Sequence, residues 1–181
     1  TAVIYNWQSV ADFTGASLHE HRRTFLFACL ELVLAQVPVT IADPLQLAGS
    51  RFRRILVPWP NRLMPEAWDA LEKAAAEGSE IFFMGPPAWQ DSPGRDLTDR
   101  WTRLTGTRVP PREKAMLIPY GDFVEVKGRP FLLDPATAVP NWQWNPAYTY
   151  SDHLKAWVLE GGEPAVSWKG QPIGVRCGRV T

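Results

Sequence analysis

Four residue types in this chain could do chemistry: cysteine, histidine, loop aspartate and tryptophan. The two cysteines, Cys29 and Cys177, lie far apart in the sequence. Cys29 sits in an apolar run (Phe25, Leu26, Cys29, Leu30, Val33) whose helical spacing predicts one apolar stripe, so it reads as a small buried hydrophobe. Neither cysteine has the clustered companions a zinc site needs, and two cysteines make no disulfide framework. His19-Glu20-His21 invites a metal reading. On a helix, however, residues two apart point about 200° from each other, so one face cannot present both. They read as polar residues of a first helical turn, and His153 stands alone. Asp12, Asp43, Asp91 and Asp122 fall in loops. Glycoside hydrolysis needs two carboxylates roughly 5–10 Å apart. Aspartate is also the ordinary residue of turns and caps, and nothing in the sequence pairs any two of them. No metal and no cofactor is expected.

Tryptophan gives the clearest signal. The chain has nine Trp and 17 Pro in 181 residues, and both fall mostly between the segments that read as regular structure. The residues of interest are Asn6 and Trp7, Trp59 and Asn61, Trp89 with Gln90, and Trp142 and Trp144 in a Pro- and Asn-rich stretch. Trp joins a large apolar face to a polar N–H and suits surfaces that are partly wet. Three readings stay open for this group. The rings cover the edge of a sheet, they dock another domain or subunit, or they stack on a sugar.

The elements that would position these residues follow from periodicity. AVIY at 2–5 is a short apolar run and reads as a buried strand. A helix is predicted from about Ser17, with Ser17 as N-cap and Glu20 completing a capping box. VTIA at 39–42 is a second strand after Pro38, and RILV at 54–57 a third, closed by Pro58-Trp59-Pro60. Pro65 and Glu66 open a helix with Ala67, Leu71, Ala74 and Ala75 on one face, and Gly78 ends it. EIFFM at 80–84 is a fourth strand, followed by Gly85-Pro86-Pro87. Asp96 caps a helix bearing Leu97, Trp101 and Leu104, ended by Gly106.

The order β-α-β-β-α-β-α with apolar strands predicts an α/β fold of flavodoxin-like type: a mostly parallel sheet with helices on both faces. In such a sheet, ligands bind beyond the carboxyl ends of the strands. Asn6, Trp7, Asp43, Trp59, Asn61, Trp89 and Gln90 all follow strand ends, so they form a candidate rim that Trp142 and Trp144 could join.

The pattern changes after about Pro110, which divides 1–110, the parallel core, from 111–181, an extension within the same domain. AMLI at 115–118 reads as a strand. Phe123 to Val126 and Phe131 to Leu133 read as a hairpin, with Pro130 weakening its second strand. Residues 134–150 read as an ordered loop, and Ser151 as the cap of a short helix to about Leu159. Ala165 to Trp168 and Ile173 to Cys177 form a closing hairpin around Lys169-Gly170.

Composition narrows the function classes. Apolar residues are 45% and charged residues 21%, ordinary for a globular domain, and the formal charge is zero. A nucleic-acid partner is not expected, because it normally needs a basic surface. No apolar run nears the roughly 20 residues that cross a bilayer, so no membrane partner is expected either. A free Cys29 leans toward the cytoplasm. The chain opens at Thr1 rather than Met, as a trimmed or excised chain would.

The ordered segments resemble a known family. AVIYNW at 2–7, PVTIADP at 38–44, RRILVPWPNRLMPEAWDALEKAAAEGSEIFFM at 53–84 and LTDRWTRLTGTRV at 97–109 are similar to the middle, trimerisation domain of family 42 glycoside hydrolases, which are β-galactosidases. The resemblance covers residues 2–109, and 151–177 more loosely. It implies a class I glutamine-amidotransferase-like fold and a multidomain parent with a separate catalytic barrel carrying two carboxylates. A chain of 181 residues has no room for that barrel, so an excised domain or a stand-alone relative is expected.

Active amidotransferases of this fold present a cysteine nucleophile on a sharp turn after a strand, where backbone N–H groups meet the oxyanion. The matching turn here is Met84-Gly85-Pro86-Pro87, with no Cys, Ser or Thr and two residues lacking an N–H. The expectation is therefore a non-catalytic accessory or oligomerisation domain of a β-galactosidase-like hydrolase. Its partners would be its own subunits or a catalytic barrel, with carbohydrate as a further ligand. The alternative is a sugar- or small-molecule-binding module using the tryptophan rim.

Overall fold

The computed structural model describes residues 1–6, 15–49, 51–60, 63–91, 94–133 and 153–181. It is a mixed α/β structure built on a parallel sheet. Strands β1 (Ala2–Ile4), β2 (Thr40–Ala42), β3 (Arg54–Pro58) and β4 (Glu80–Met84) lie in the order β2-β1-β3-β4. All three pairings are parallel, with Val3 opposite both Ile41 and Leu56, and Ile55 opposite Ile81. Ala2, Val3 and Ile4 are each at most 1% exposed. Strand β1 is therefore covered on both faces, which its unbroken apolar run requires.

Alternate residues feed two cores. Ala2, Ile4, Ile55, Val57 and Ile81 join helices α2 (Pro65–Ala76) and α3 (Thr98–Thr105) on one face. Val3 and Leu56 meet Phe25, Ala28 and Leu32 of helix α1 (Gly15–Leu34) on the other. In α2, Ala67, Trp68, Ala70, Leu71 and Ala74 are buried, the spacing of a helical stripe. Pro65 occupies its first turn and Glu66 stands at the positive end of the dipole. Trp68, fully buried, meets Phe83 in a tilted contact at 5.7 Å and Trp101 edge-on at 6.2 Å between ring centroids.

Helix α3 is fixed at both ends. The Thr98 backbone N–H donates to Asp96 Oδ1 at 2.8 Å, and Gly106 closes the helix in the left-handed conformation. Inside, the Trp101 indole N–H donates to Thr107 Oγ1 at 3.0 Å, and the Thr105 hydroxyl donates to the Trp101 carbonyl at 2.9 Å. These buried polar groups are partnered, as burial demands. Arg100 clamps α3 to α2 by two bonds to Glu72, at 2.8 and 3.0 Å, and by an ion pair with Asp69.

The described strands after Lys114 pair antiparallel. Strands β6 (Phe123–Val126), β7 (Arg129–Leu132), β9 (Glu163–Trp168) and β10 (Gln171–Arg176) lie in the order β10-β9-β6-β7. Strands β5 (Met116–Pro119) and β8 (His153–Ala156) pair with each other. The sequence reading of a closing hairpin is thus half of a larger sheet. Lys127 and Lys169 hold φ of +50° and +49°, each followed by a glycine, as two-residue hairpin turns demand. Pro130 lies in the edge strand β7, where no ladder N–H is missed.

Three sequence readings are corrected, and one feature was not read from the sequence at all. The helix assigned from Ser151 to about Leu159 is not formed over its described residues, 153–159. Residues 153–156 are a strand, because pairing with β5 buries Ala156, and Trp157 follows it into the interior. Helix α1 begins at Gly15, two residues before Ser17. Its expected stripe also fails in part: Leu26 is 64% and Val33 62% exposed, while Ala28 is buried in their place. Finally, the chain's last residues return to the parallel sheet. The Ile81 N–H donates to the Arg179 carbonyl at 2.9 Å and the Phe83 N–H to the Thr181 carbonyl at 2.7 Å, seating Val180 in the core.

Candidate functional site

Strand order β2-β1-β3-β4 puts the switch in direction between β1 and β3, where crevices open in parallel sheets. The residues leaving those two strands are Asn6 and Trp59. Asn6 is fully buried, so this amide is enclosed within the sheet end. Trp59 holds φ of +54°, a region that a bulky residue rarely enters. Its backbone N–H donates to the Met84 carbonyl at 2.6 Å, which ties the exit of β3 to the end of β4. Its indole N–H is buried and meets no acceptor among the described residues.

Gly85 accommodates that ring. It holds φ of +114°, and a Cβ built there would lie 2.9 Å from Trp59 Cε3. Pro86 and Pro87 behind it are buried. The tip after β4 therefore offers neither sulfur nor hydroxyl, and its prolines supply no N–H to an oxyanion.

Trp89 does something different. Its indole N–H donates to the Pro110 carbonyl at 2.8 Å. Trp157 meets it edge-on at 5.4 Å, and the Arg112 guanidinium lies 5.0 Å from its ring centre. Trp157 in turn donates to the Arg112 carbonyl at 3.2 Å, and Arg112 to Gln90 Oε1 at 3.4 Å. This cluster stitches the β4 exit loop to the segments flanking β5 and β8. Trp157 and Arg112 went unnoticed in the sequence, although a tryptophan adjoining a short alternating segment was a usable signal. Of the remaining rim residues, Trp7, Asn61, Trp142 and Trp144 lie outside the described residues.

The loop carboxylates have local work. Asp43 Oδ1 accepts the Leu45 N–H at 2.8 Å, a turn bond. Asp91 is 3% exposed and accepts the Arg95 N–H at 2.8 Å while pairing with the Arg95 guanidinium at 2.9 Å. Asp122 accepts the Trp168 indole N–H at 3.1 Å and faces Lys169 at 3.5 Å. Each answers to different partners, and Asp12 lies outside the described residues. Among the described residues no three potential metal ligands cluster, and no helix is long and apolar enough to cross a membrane. Burial pushes the thiol pKa of both Cys29 and Cys177 up, and neither lies in the turn after β4. Cys177 fills a niche against Gly162, where a Cβ would lie 2.5 Å from its sulfur.

No protein-family model matches the sequence, and no curated protein matches it. Solved structures do share the fold. Gan42B, a GH42 β-galactosidase, aligns with a TM-score of 0.61 at 14% identity over 88% of this chain. A catalytic mutant of Gan42B from G. stearothermophilus aligns with a TM-score of 0.63 at 14% identity over 96% of this chain. The chain spans only 22% and 24% of those two proteins. The likeness is one of fold, to a part of a much longer enzyme.

Proposed function

We propose that this chain is a non-catalytic accessory domain of flavodoxin-like type, related to the middle domain of GH42 β-galactosidases, and that its task is self-association or docking to a catalytic domain. The carrying observation is the fold likeness to about a quarter of a β-galactosidase, combined with a β4 exit turn devoid of a nucleophile. A second observation favours association. The outer face of α1 and the adjoining edge strand expose Leu26, Val33, Leu34 and Ile41 at 61–68%. Single exposed apolar residues are ordinary, but clustered ones on an open sheet edge mark contact surfaces. Sedimentation velocity of the purified chain tests this. Concentration-dependent association is expected, and Leu26→Glu with Val33→Glu should abolish it. A monomer at every concentration overturns the self-association half of the reading.

The alternative, a sugar-binding module, draws on Trp59. Its sparsely populated backbone conformation and unmet indole N–H stand at the sheet's switch point, where strain often accompanies binding. Galactosides should then shift tryptophan fluorescence, and Trp59→Phe should remove the shift. Unchanged fluorescence at saturating sugar excludes it.

A further inference from the structure

The face of the parallel sheet that carries α1 is only partly covered. Helix α1 packs over β1 and β3. Beyond it, Phe82 and Met84 of β4 floor a cleft of about 600 Å³ with Leu56 of β3 and Leu32 of α1. The antiparallel sheet roofs the far side: Lys127 at the β6–β7 turn and Ala165 of β9 both line the cleft, joined by a backbone bond of 3.2 Å. Small-molecule sites run from about 300 to 1,000 Å³ with mainly apolar walls, and this cleft has both properties.

Its rim is cationic. Arg54, Lys127, Arg176 and Arg179 line it against one acidic side chain, Glu80, with the terminal residues Thr1 and Thr181 also on the lining. Glu80 is already held by Arg54 at 3.0 Å. The remaining contacts of the arginines are to neutral acceptors: Arg176 Nε donates to the Gly178 carbonyl at 3.1 Å, and Arg179 to the Gly78 carbonyl. Carbonyls satisfy single N–H groups without cancelling charge and leave further guanidinium donors to spare. Glu80, bonded to Arg54 and also within the field of Arg176, is one acidic side chain set against four basic ones. An apolar floor under surplus positive charge complements a molecule with a hydrocarbon body and one anionic head. A sugar would find no hydrogen-bonding side chain on that floor, and a polyanion would leave the floor uncovered.

We infer that the cleft between β4 and the β6–β7 turn binds an amphipathic monoanion, an aliphatic carboxylate being the simplest, with its chain on Phe82 and Met84 and its carboxylate at Lys127 and Arg176. This site is separate from the strand-end crevice and from the exposed face of α1.

Calorimetric titration with laurate below its micellar concentration tests the inference, with dodecyltrimethylammonium and dodecyl maltoside as cationic and neutral probes of equal chain length. One equivalent of laurate should bind, more tightly than either control. Lys127→Glu and Arg176→Glu, both at exposed positions, should each weaken laurate by about two- to fivefold, the scale of one partly exposed ion pair. Circular dichroism confirms that the variants fold. Equal affinity for the three probes, unchanged laurate affinity in both charge reversals, or no laurate heat at all would each overturn the proposal. A laurate heat suppressed instead by Leu26→Glu would assign binding to the α1 face, and that too overturns it.

Discussion

The parallel sheet and the β10-β9-β6-β7 sheet place their large apolar residues differently. In the parallel region Trp68, Phe83 and Trp101 pack into one interior cluster, with Trp68 fully buried. In the antiparallel region Phe123, Phe131 and Leu132 are each more than half exposed, and β7 has no buried residue. The first region derives its stability from apolar burial on both sheet faces. The second buries fewer apolar side chains, among them Ile118, Val124, Trp157 and Val175, and adds backbone ladders, two tight turns and side-chain bonds such as that from Trp168 to Asp122. Where the regions meet, the partners are specific: the Trp89–Trp157–Arg112 cluster at one place, and the return of residues 179–181 alongside β4 at another.

This contrast can be broken by mutation. Trp68→Ala should have the largest effect, about 3–5 kcal/mol of unfolding free energy lost, the usual cost of truncating a buried large aromatic. Phe131→Ala in the exposed edge strand should change stability by no more than about 0.5 kcal/mol. Chemical denaturation of both variants measures the difference, and comparable losses would erase the distinction. Gly85→Ala should come next, at roughly 1–3 kcal/mol, because it combines a strained positive φ with a collision against Trp59. The same denaturation series, with near-ultraviolet dichroism reporting on Trp59, checks it.

Acid dependence sharpens the picture with a smaller effect. The hydrogen bond from Arg54 holds the Glu80 carboxyl below its ordinary range, and hydrogen bonds from Thr98 do the same for Asp96. A carboxyl whose pKa is lowered by folding adds stability that is complete above its unfolded pKa. That stability is lost as pH falls through the lowered folded value. Both groups serve the parallel region, so Glu80→Gln and Asp96→Asn should each flatten the acid limb of its stability profile. Denaturant midpoints across the acid range measure this, and an unchanged slope in both variants would refute it. The smallest effect concerns the thiols. With both pKa values raised by burial, Cys29 and Cys177 should react with a thiol reagent more slowly than free cysteine at mildly alkaline pH.

Much of the parallel region was legible because its signals are local. Short apolar runs, Pro65 with Glu66, Asp96, and the glycines after helices each act within a few residues, and the element order through Thr105 followed from them. The candidate site was legible only as a neighbourhood. Strand ends pointed to Asn6 and Trp59, but nothing in the sequence separated Trp59, folded onto Gly85, from Trp89, tied to Pro110. That division depends on which distant segment arrives beside each ring. For the same reason His153 to Ala156 read as helix: its intrinsic preference was weak, and its partner β5 lies across an intervening stretch of more than 30 residues.

What the sequence by itself determined is the alternation of apolar and punctuating residues, and hence the strands, the helices and the turn without a nucleophile. Only the tertiary structure decided which faces those elements share. Val180 completes the core sheet from the far end of the chain, Leu26 and Val33 face outward where an inward stripe was expected, and four basic residues from separate strands and turns gather over Phe82. Backbone preference is set by neighbours along the chain, whereas burial and charge environment are set by neighbours in space, which a one-dimensional pattern does not record.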